Sequence, residues 1–286
     1  MLVRMRDDED DDAPASALEA LAADHLADHG WGLPAESRAV LVESLGSGDR
    51  EVRLEALEML AHSLDDGLAA LALEVARGDA DEEVRAAAVR SLVPGLGVAA
   101  AAAAGDPVTA PLSPAGAAAV GHGLRLLYFD SAAPKGVRRA ALETATHAPE
   151  PWQEGAVRAA WASGDSEWRT TAVDCMSRLP GFCVELAEAL RERAPQIRLA
   201  AARAAGDAGC HEAAPRLLAL ARAADEEGRV RMAAMESLGL LGDREALVPL
   251  RELAESADSE LAFAARSALA RIAGAAVAEE ADDDFG

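Results

Sequence analysis

The sequence predicts an all-α fold: a right-handed α-solenoid, or superhelix, of about seven helical hairpins with an N-terminal capping pair. Two observations lead there. The chain is 51% apolar but only 3% aromatic, because Ala, Leu and Val supply most of the apolar content. Ala and Leu favour helix, and the residues that a sheet would need are scarce. The second observation is an internal repeat. Seven anchors, Val52, Val84, Val137, Trp168, Ile197, Val230 and Leu261, follow at spacings of 32, 53, 31, 29, 33 and 31. A helical hairpin with its turns takes about 30–45 residues, so the spacing fits one hairpin per anchor.

The positions around each anchor build the first helix of the expected unit. Arg follows the anchor in six copies: Arg53, Arg85, Arg138, Arg169, Arg198 and Arg231. Four residues after the anchor stand Ala56, Ala88, Ala141, Ala172, Ala201, Ala234 and Ala265. Residues i and i+4 share a helix face, and alanine there lets two helices approach closely. Three residues before the anchor stand Asp49, Asp81, Asp165 and Asp258, with Glu227 in a fifth copy. Asp at that place can cap the helix and oppose its dipole.

A second helix is expected after each anchor helix. Its core stripe falls eleven residues before the next anchor, at Leu73, Leu126, Val157, Leu186, Ala219 and Leu250. Gly78, Gly164, Pro180-Gly181, Gly209 and Gly242 mark the turns.

These segments resemble the HEAT-repeat superfamily, and most closely the short bacterial HEAT-like units also found in phycobilisome lyases. The stretches that carry the resemblance are Asp81 to Ala88, Val230 to Gly239 and Gly242 to Leu250, within about residues 45–273. Copies three and five depart from it, with Pro134 and Ala194 where the family favours Asp. The resemblance implies that the Asp and Arg of successive repeats form a buried ladder. A buried guanidinium needs a partner, so each arginine should meet a carboxylate or a carbonyl.

Around the array, residues 1–14 read as a disordered acidic tail and 274–286 as a second one. Residues 15–46 read as an N-terminal helical cap, with helices over 15–29 and 35–46. The long spacing places an insertion at 94–116. Its alanine run, Ala99 to Ala104, could form a short helix, and its prolines predict an irregular, mobile excursion. The final anchor helix should be a half-repeat.

The net charge is −23, of which the two tails hold −4 and −5 and the body −14. Such a surface repels phosphate backbones, so no nucleic-acid partner is expected, and it would suit a basic protein or peptide. No stretch reads as a membrane span, and the start shows no apolar signal region. Cys175, Cys183 and Cys210 make no framework, which points to a reducing cytoplasm; Cys175 and Cys183 could approach each other around a helix turn, although buried packing suits both.

Chemistry-bearing motifs are few. His25 and His29 sit at i, i+4 without a convincing third ligand, and a single His211-Glu212 pair is too little for the di-iron site that the HEAT-like deoxyhypusine hydroxylases carry. No catalytic residue, cofactor or metal is expected. Trp168 reads as a core anchor. Trp152 and Trp161 suit core or binding surface equally, and with Arg158 they are the candidate partner contacts. The expected function is a non-catalytic scaffold for another protein or peptide, bound along a concave face of the second helices. Resemblance keeps a bilin-lyase-like reading as the alternative, and a DNA-glycosylase-like reading behind it.

Overall fold

The structure is a computed structural model that describes residues 33–105 and 110–283, with side chains described as far as residue 274. The expected helix over 15–29, His25, His29 and the first acidic tail lie outside the described residues. All described elements are helical. The chain forms two compact units, Met1–Glu150 and Pro151–Gly286.

In the first unit, α1 (Ala35–Leu45) precedes the anchor helix α2 (Arg50–His62), α3 (Asp66–Gly78) precedes α4 (Glu82–Arg90), and α6 (Pro114–Phe129) precedes α7 (Lys135–Ala145). An extra helix, α5 (Val93–Ala103), lies between α4 and α6. The second unit continues with α8 (Pro151–Ala162), α9 (Ser166–Met176), α10 (Cys183–Ala189), α11 (Pro195–Asp207), α12 (Ala214–Arg222), α13 (Gly228–Leu240), α14 (Leu247–Ala254) and α15 (Ser259–Asp283). Short 3-10 turns, His211–Ala213 and Arg244–Ala246, lead into α12 and α14.

The aspartates of the repeat start the anchor helices. Asp49 accepts a hydrogen bond from the Glu51 amide, Asp81 from Glu83 and Val84, Asp165 from Glu167 and Trp168, and Asp258 from Glu260 and Leu261. Each such cap stabilises its helix by about 1 kcal/mol. Pro195, in the first turn of α11, offers a preset φ in the copy that lacks Asp. At the other end, α11 and α13 stop on Gly209 and Gly242, whose φ values of +66° and +64° suit glycine. The amide of Cys210 then bonds the Ala205 carbonyl, and that of Asp243 the Leu238 carbonyl, which closes the last turn of each helix.

The core follows the repeat. All seven alanines four residues after the anchors are 0% exposed, the condition for helix backbones to lie close together. Six anchors are buried as well. Trp168 is the exception. It is only half-buried, so it is not the core residue its register predicts. In the second helices, Leu73, Val157, Leu186 and Leu250 are buried as expected, but Leu126 is 51% exposed and Ala219 is exposed. There the buried stripe runs through Leu124 and Leu127 in α6, and through Leu217 and Leu220 in α12. The counting from the next anchor fails because connection lengths differ between copies.

Hairpin register also differs from expectation. Each anchor helix packs on the helix before it: α1 with α2, α3 with α4, α6 with α7, and so on to α14 with α15. The anchor helix is thus the second member of its hairpin. In consequence, α1 forms a hairpin with α2, and α15 completes a hairpin with α14 rather than standing as a half-repeat. Successive anchor helices pack side by side, α2 on α4 and α4 on α7 in one unit, and α9, α11, α13 and α15 in order in the other.

The alanine run forms the expected short helix: Pro94 sits in the first turn of α5, where proline fits, and the helix runs to Ala103. Of the proline-spaced remainder, 110–113 is irregular and Pro114 opens α6. Leu96 and Leu112 are buried, and α5 packs on α2 and α6. Residues 106–109 lie outside the description. The backbone of α15 continues through Asp283, past the expected end near Ala273, since Ala-rich sequence with Glu279 and Glu280 favours helix. Residues 82–103 are also long and apolar enough to cross a membrane by composition, with a mean hydropathy of 1.5. A turn at Ser91-Leu92 divides them into α4 and α5, and Val84, Val89, Leu92 and Leu96 are 0% exposed in the core.

Candidate functional site

The six repeat arginines line the hairpin turns. Three donate to the last turn of the helix before them: Arg85 to the Ala76 carbonyl, Arg138 to Tyr128 and Arg231 to Ala221. The other three reach to the turn of the next hairpin. Arg53 pairs with Asp79, Arg169 with Glu192 and Arg198 with Glu226. Arg53 and Arg198 also close their own turns, on the Ser47 and Gly48 carbonyls and on those of Glu192 and Arg193. The carboxylates that meet these arginines are therefore Asp79, Glu192 and Glu226, one or two residues ahead of the capping position. The capping aspartates are committed to backbone amides, and Asp81 also pairs with Arg50.

The Arg198–Glu226 pair is enclosed, with side chains 15% and 8% exposed, as is Arg53–Asp79 at 13% and 10%. Bonding to the Arg198 guanidinium holds the Glu226 carboxyl below its usual value of 4.5. Asp65 is held low in the same way by Arg38, and it also caps α3 through the Leu68 amide.

Two of the three candidate partner contacts, Arg158 and Trp161, make contacts inside the unit. Arg158, on α8, pairs with Glu185 and Glu154 and lies 4.6 Å over the Phe182 ring, fastening α8 to the start of α10. Trp161 is half-buried, with the Arg169 guanidinium 4.3 Å over its ring. Trp152 is half-buried too. None of the three enters the groove described below.

Cys183 and Cys210 form a disulfide, with Cα atoms 5.3 Å apart. Cys183 opens α10, and Cys210 follows the left-handed glycine that ends α11, so the bond closes the hairpin α10–α11 at its two ends. Cysteine count gave no sign of this, because the pair is 27 residues apart and the third thiol, Cys175, is buried elsewhere. The bond removes the argument that cysteine usage offered for a reducing cytoplasm. His211 and Glu212 are exposed in the 3-10 turn beside it. Among the described residues, no group of three or more His, Cys, Asp and Glu side chains is arranged to hold a metal.

Among the described residues, two grooves open on the anchor helices, and a third of about 690 Å³ lies between α5 and α6, the latter one of the helices on which a binding face was expected. In the first unit, a shallow one of about 330 Å³ runs between α2 and α4, past Leu54 and Ala87. In the second unit, a groove of about 940 Å³ crosses α11, α13 and α15. Its apolar lining comes from one column of the repeat. Two residues after the anchor, the copies read Leu54, Ala86, Arg139, Thr170, Leu199, Met232 and Phe263. The last three line this groove in consecutive hairpins, and Phe263 is 68% exposed. Sequence reading passed over this column because it weighed only the buried positions.

Residues 183–270, which begin at α10 and end within α15, match the sequence model of the HEAT-repeat family. That span is a HEAT-repeat array. Its start at Cys183 coincides with the start of a hairpin in the register that the packing defines. Among curated proteins, no sequence matches this chain. Among solved structures, YibA of Escherichia coli superposes with a TM-score of 0.51 at 13% identity, covering 95% of this chain and 99% of that one. That likeness shows a shared fold. The CpcE–CpcF complex of phycocyanin lyase from Nostoc gives 0.49 at 14% identity, covering 86% and 97%. Human deoxyhypusine hydroxylase gives 0.39 at 16% identity, covering 92% and 99%. The HEAT hairpins fix the architecture; function rests on the side chains they present.

Proposed function

We propose that this chain is a non-catalytic scaffold that binds a protein or peptide in the groove across α11, α13 and α15. The observation that carries the proposal is the row of Leu199, Met232 and Phe263 on three consecutive anchor helices, the first two half-buried and the third exposed. Phe263, at 68% exposure, is available to a partner in a way that a core residue is not. Large apolar residues of this kind carry a disproportionate share of binding energy at protein interfaces. The repeat arginines take no part, since they are bonded to the turns.

The test is site-specific photo-crosslinking in the native host. Benzoylphenylalanine in place of Phe263 should give one discrete adduct, and the same probe in place of Val248, which is 62% exposed on α14, should not. The purified partner should then bind the full chain, and Phe263→Ser with Met232→Ser should weaken that binding at least about tenfold. Equal labelling from both positions, or binding indifferent to the double substitution, refutes the groove as the interface.

A further inference from the structure

Three arginines border the same groove: Arg203 on α11, Arg229 on α13 and Arg271 on α15. All three are exposed. Unlike Arg53, Arg169 and Arg198, none of them forms an ion pair among the described residues. Nor do they recur at one place in the repeat. Arg203 lies six residues after its anchor, Arg229 one before and Arg271 ten after. Packing of the repeat therefore does not require them. They converge on the groove from different positions, one per helix.

Their setting makes the convergence informative. The chain carries −23, and Glu236 and Glu260 share the groove, yet its lining still has one net positive charge. On a body this acidic, such a place is where a negatively charged ligand meets least repulsion. Arginine is also the side chain best shaped to grip a carboxylate through two parallel hydrogen bonds.

We infer that the groove takes an extended acidic peptide with apolar side chains interspersed among its carboxylates, a refinement that rests on the scaffold reading above. Packed helices lie about 8–10 Å apart, so three of them span roughly 20 Å. An extended chain covers that in about six residues at 3.3 Å each. Side chains on one edge of the peptide lie on Leu199, Met232 and Phe263, and carboxylates on the other meet the arginines. This reverses the charge that the whole-chain balance favours in a partner. A basic peptide would face three unpaired guanidinium groups.

Fluorescence anisotropy with the full chain tests this, using labelled Asp-Asp-Phe-Asp-Leu-Asp-Asp and its lysine counterpart Lys-Lys-Phe-Lys-Leu-Lys-Lys. The acidic peptide should bind at least about tenfold more tightly, and added salt should weaken it. Arg203→Gln, Arg229→Gln and Arg271→Gln should each weaken it about three- to tenfold. Val248→Ser, on the opposite helix layer, should leave it unchanged. The substituted side chains are exposed, so unchanged thermal melts will show that folding is intact. Tighter binding of the lysine peptide, or an affinity indifferent to the arginine variants, overturns the inference. If the acidic peptide fails while Phe263 still crosslinks its partner, the charge assignment falls and the scaffold reading stands. If the crosslink also fails, both fall.

Discussion

Gly239 on α13 faces Ala268 on α15 so closely that a Cβ on the glycine would lie 2.9 Å from the Ala268 Cα. A similar approach occurs one hairpin earlier, where a Cβ on Gly206 would lie 3.0 Å from the Ser237 Cα and 2.8 Å from its Cβ. The neighbour at Gly239 is backbone as well as side chain, so it cannot simply rotate away. Gly239→Ala should therefore destabilise the second unit by about 1–3 kcal/mol, the usual range for overpacking. Gly155, inside α8, has nothing within 4 Å of its would-be Cβ. Gly155→Ala should raise stability by about 0.5–1 kcal/mol through helix propensity alone. Opposite shifts in melting temperature check the pair, and a neutral Gly239→Ala would show that the helices have room to part.

The pair of Arg198 and Glu226 predicts a pH effect. The Glu226 carboxyl titrates lower in the folded chain than in the unfolded one, so the unfolded state takes up its proton first as pH falls. The stabilisation is whole at neutral pH, begins to fade near the usual glutamate value of 4.5, and is gone below the folded value. Glu226→Gln should lower the urea midpoint at pH 7, and the gap from the parent chain should close as the medium is acidified through that range. A gap that stays constant with pH would mean that charge is not what the pair contributes.

Reduction of the disulfide should cost about 3 kcal/mol, from the loop-closure entropy of a 27-residue separation. Thiol titration after unfolding without reductant should find one cysteine, and after reduction three. Cys183→Ser with Cys210→Ser should melt like the reduced chain. Three thiols in protein purified anaerobically would show that the bond is absent in the cell of origin.

Arg158→Ala should destabilise the second unit by about 1–2 kcal/mol, because it removes the Phe182 contact together with a charged hydrogen bond to a largely buried Glu185. Binding at the groove should be unaffected. Lost binding with an unchanged melting temperature would return Arg158 to the interface.

The repeat was legible because it is enforced by burial. The seven alanines stand in one column since any larger side chain there would push helices apart, and a column with one solution is visible in a single sequence. Asp49, Asp81, Asp165 and Asp258 were legible for the same reason, as a cap needs a short acceptor at one position. Hairpin pairing was not, since alternating helices read alike whether an anchor helix is paired with the one before or after it. The partners of the arginines were hidden too. Asp79 and Glu192 stand five residues before their anchors but Glu226 four, and the copies at Val52, Val137, Trp168 and Leu261 have no carboxylate at either place, so no column shows. Leu199, Met232 and Phe263 do share one, but it is apolar in only part of the array. Trp152, Arg158 and Trp161 stood out as residue types; Arg158 and Trp161 also make contacts inside the unit.

The disulfide divides the HEAT array mechanically. It closes the hairpin α10–α11 into a ring and leaves α12–α13 and α14–α15 held by packing alone. A solenoid of this kind comes apart from its ends, one neighbour at a time. Drawn from its C-terminal end, the oxidised chain would surrender α15, α14, α13 and α12 freely and then meet a closed ring. The residues between Cys183 and Cys210 would add nothing to its extended length.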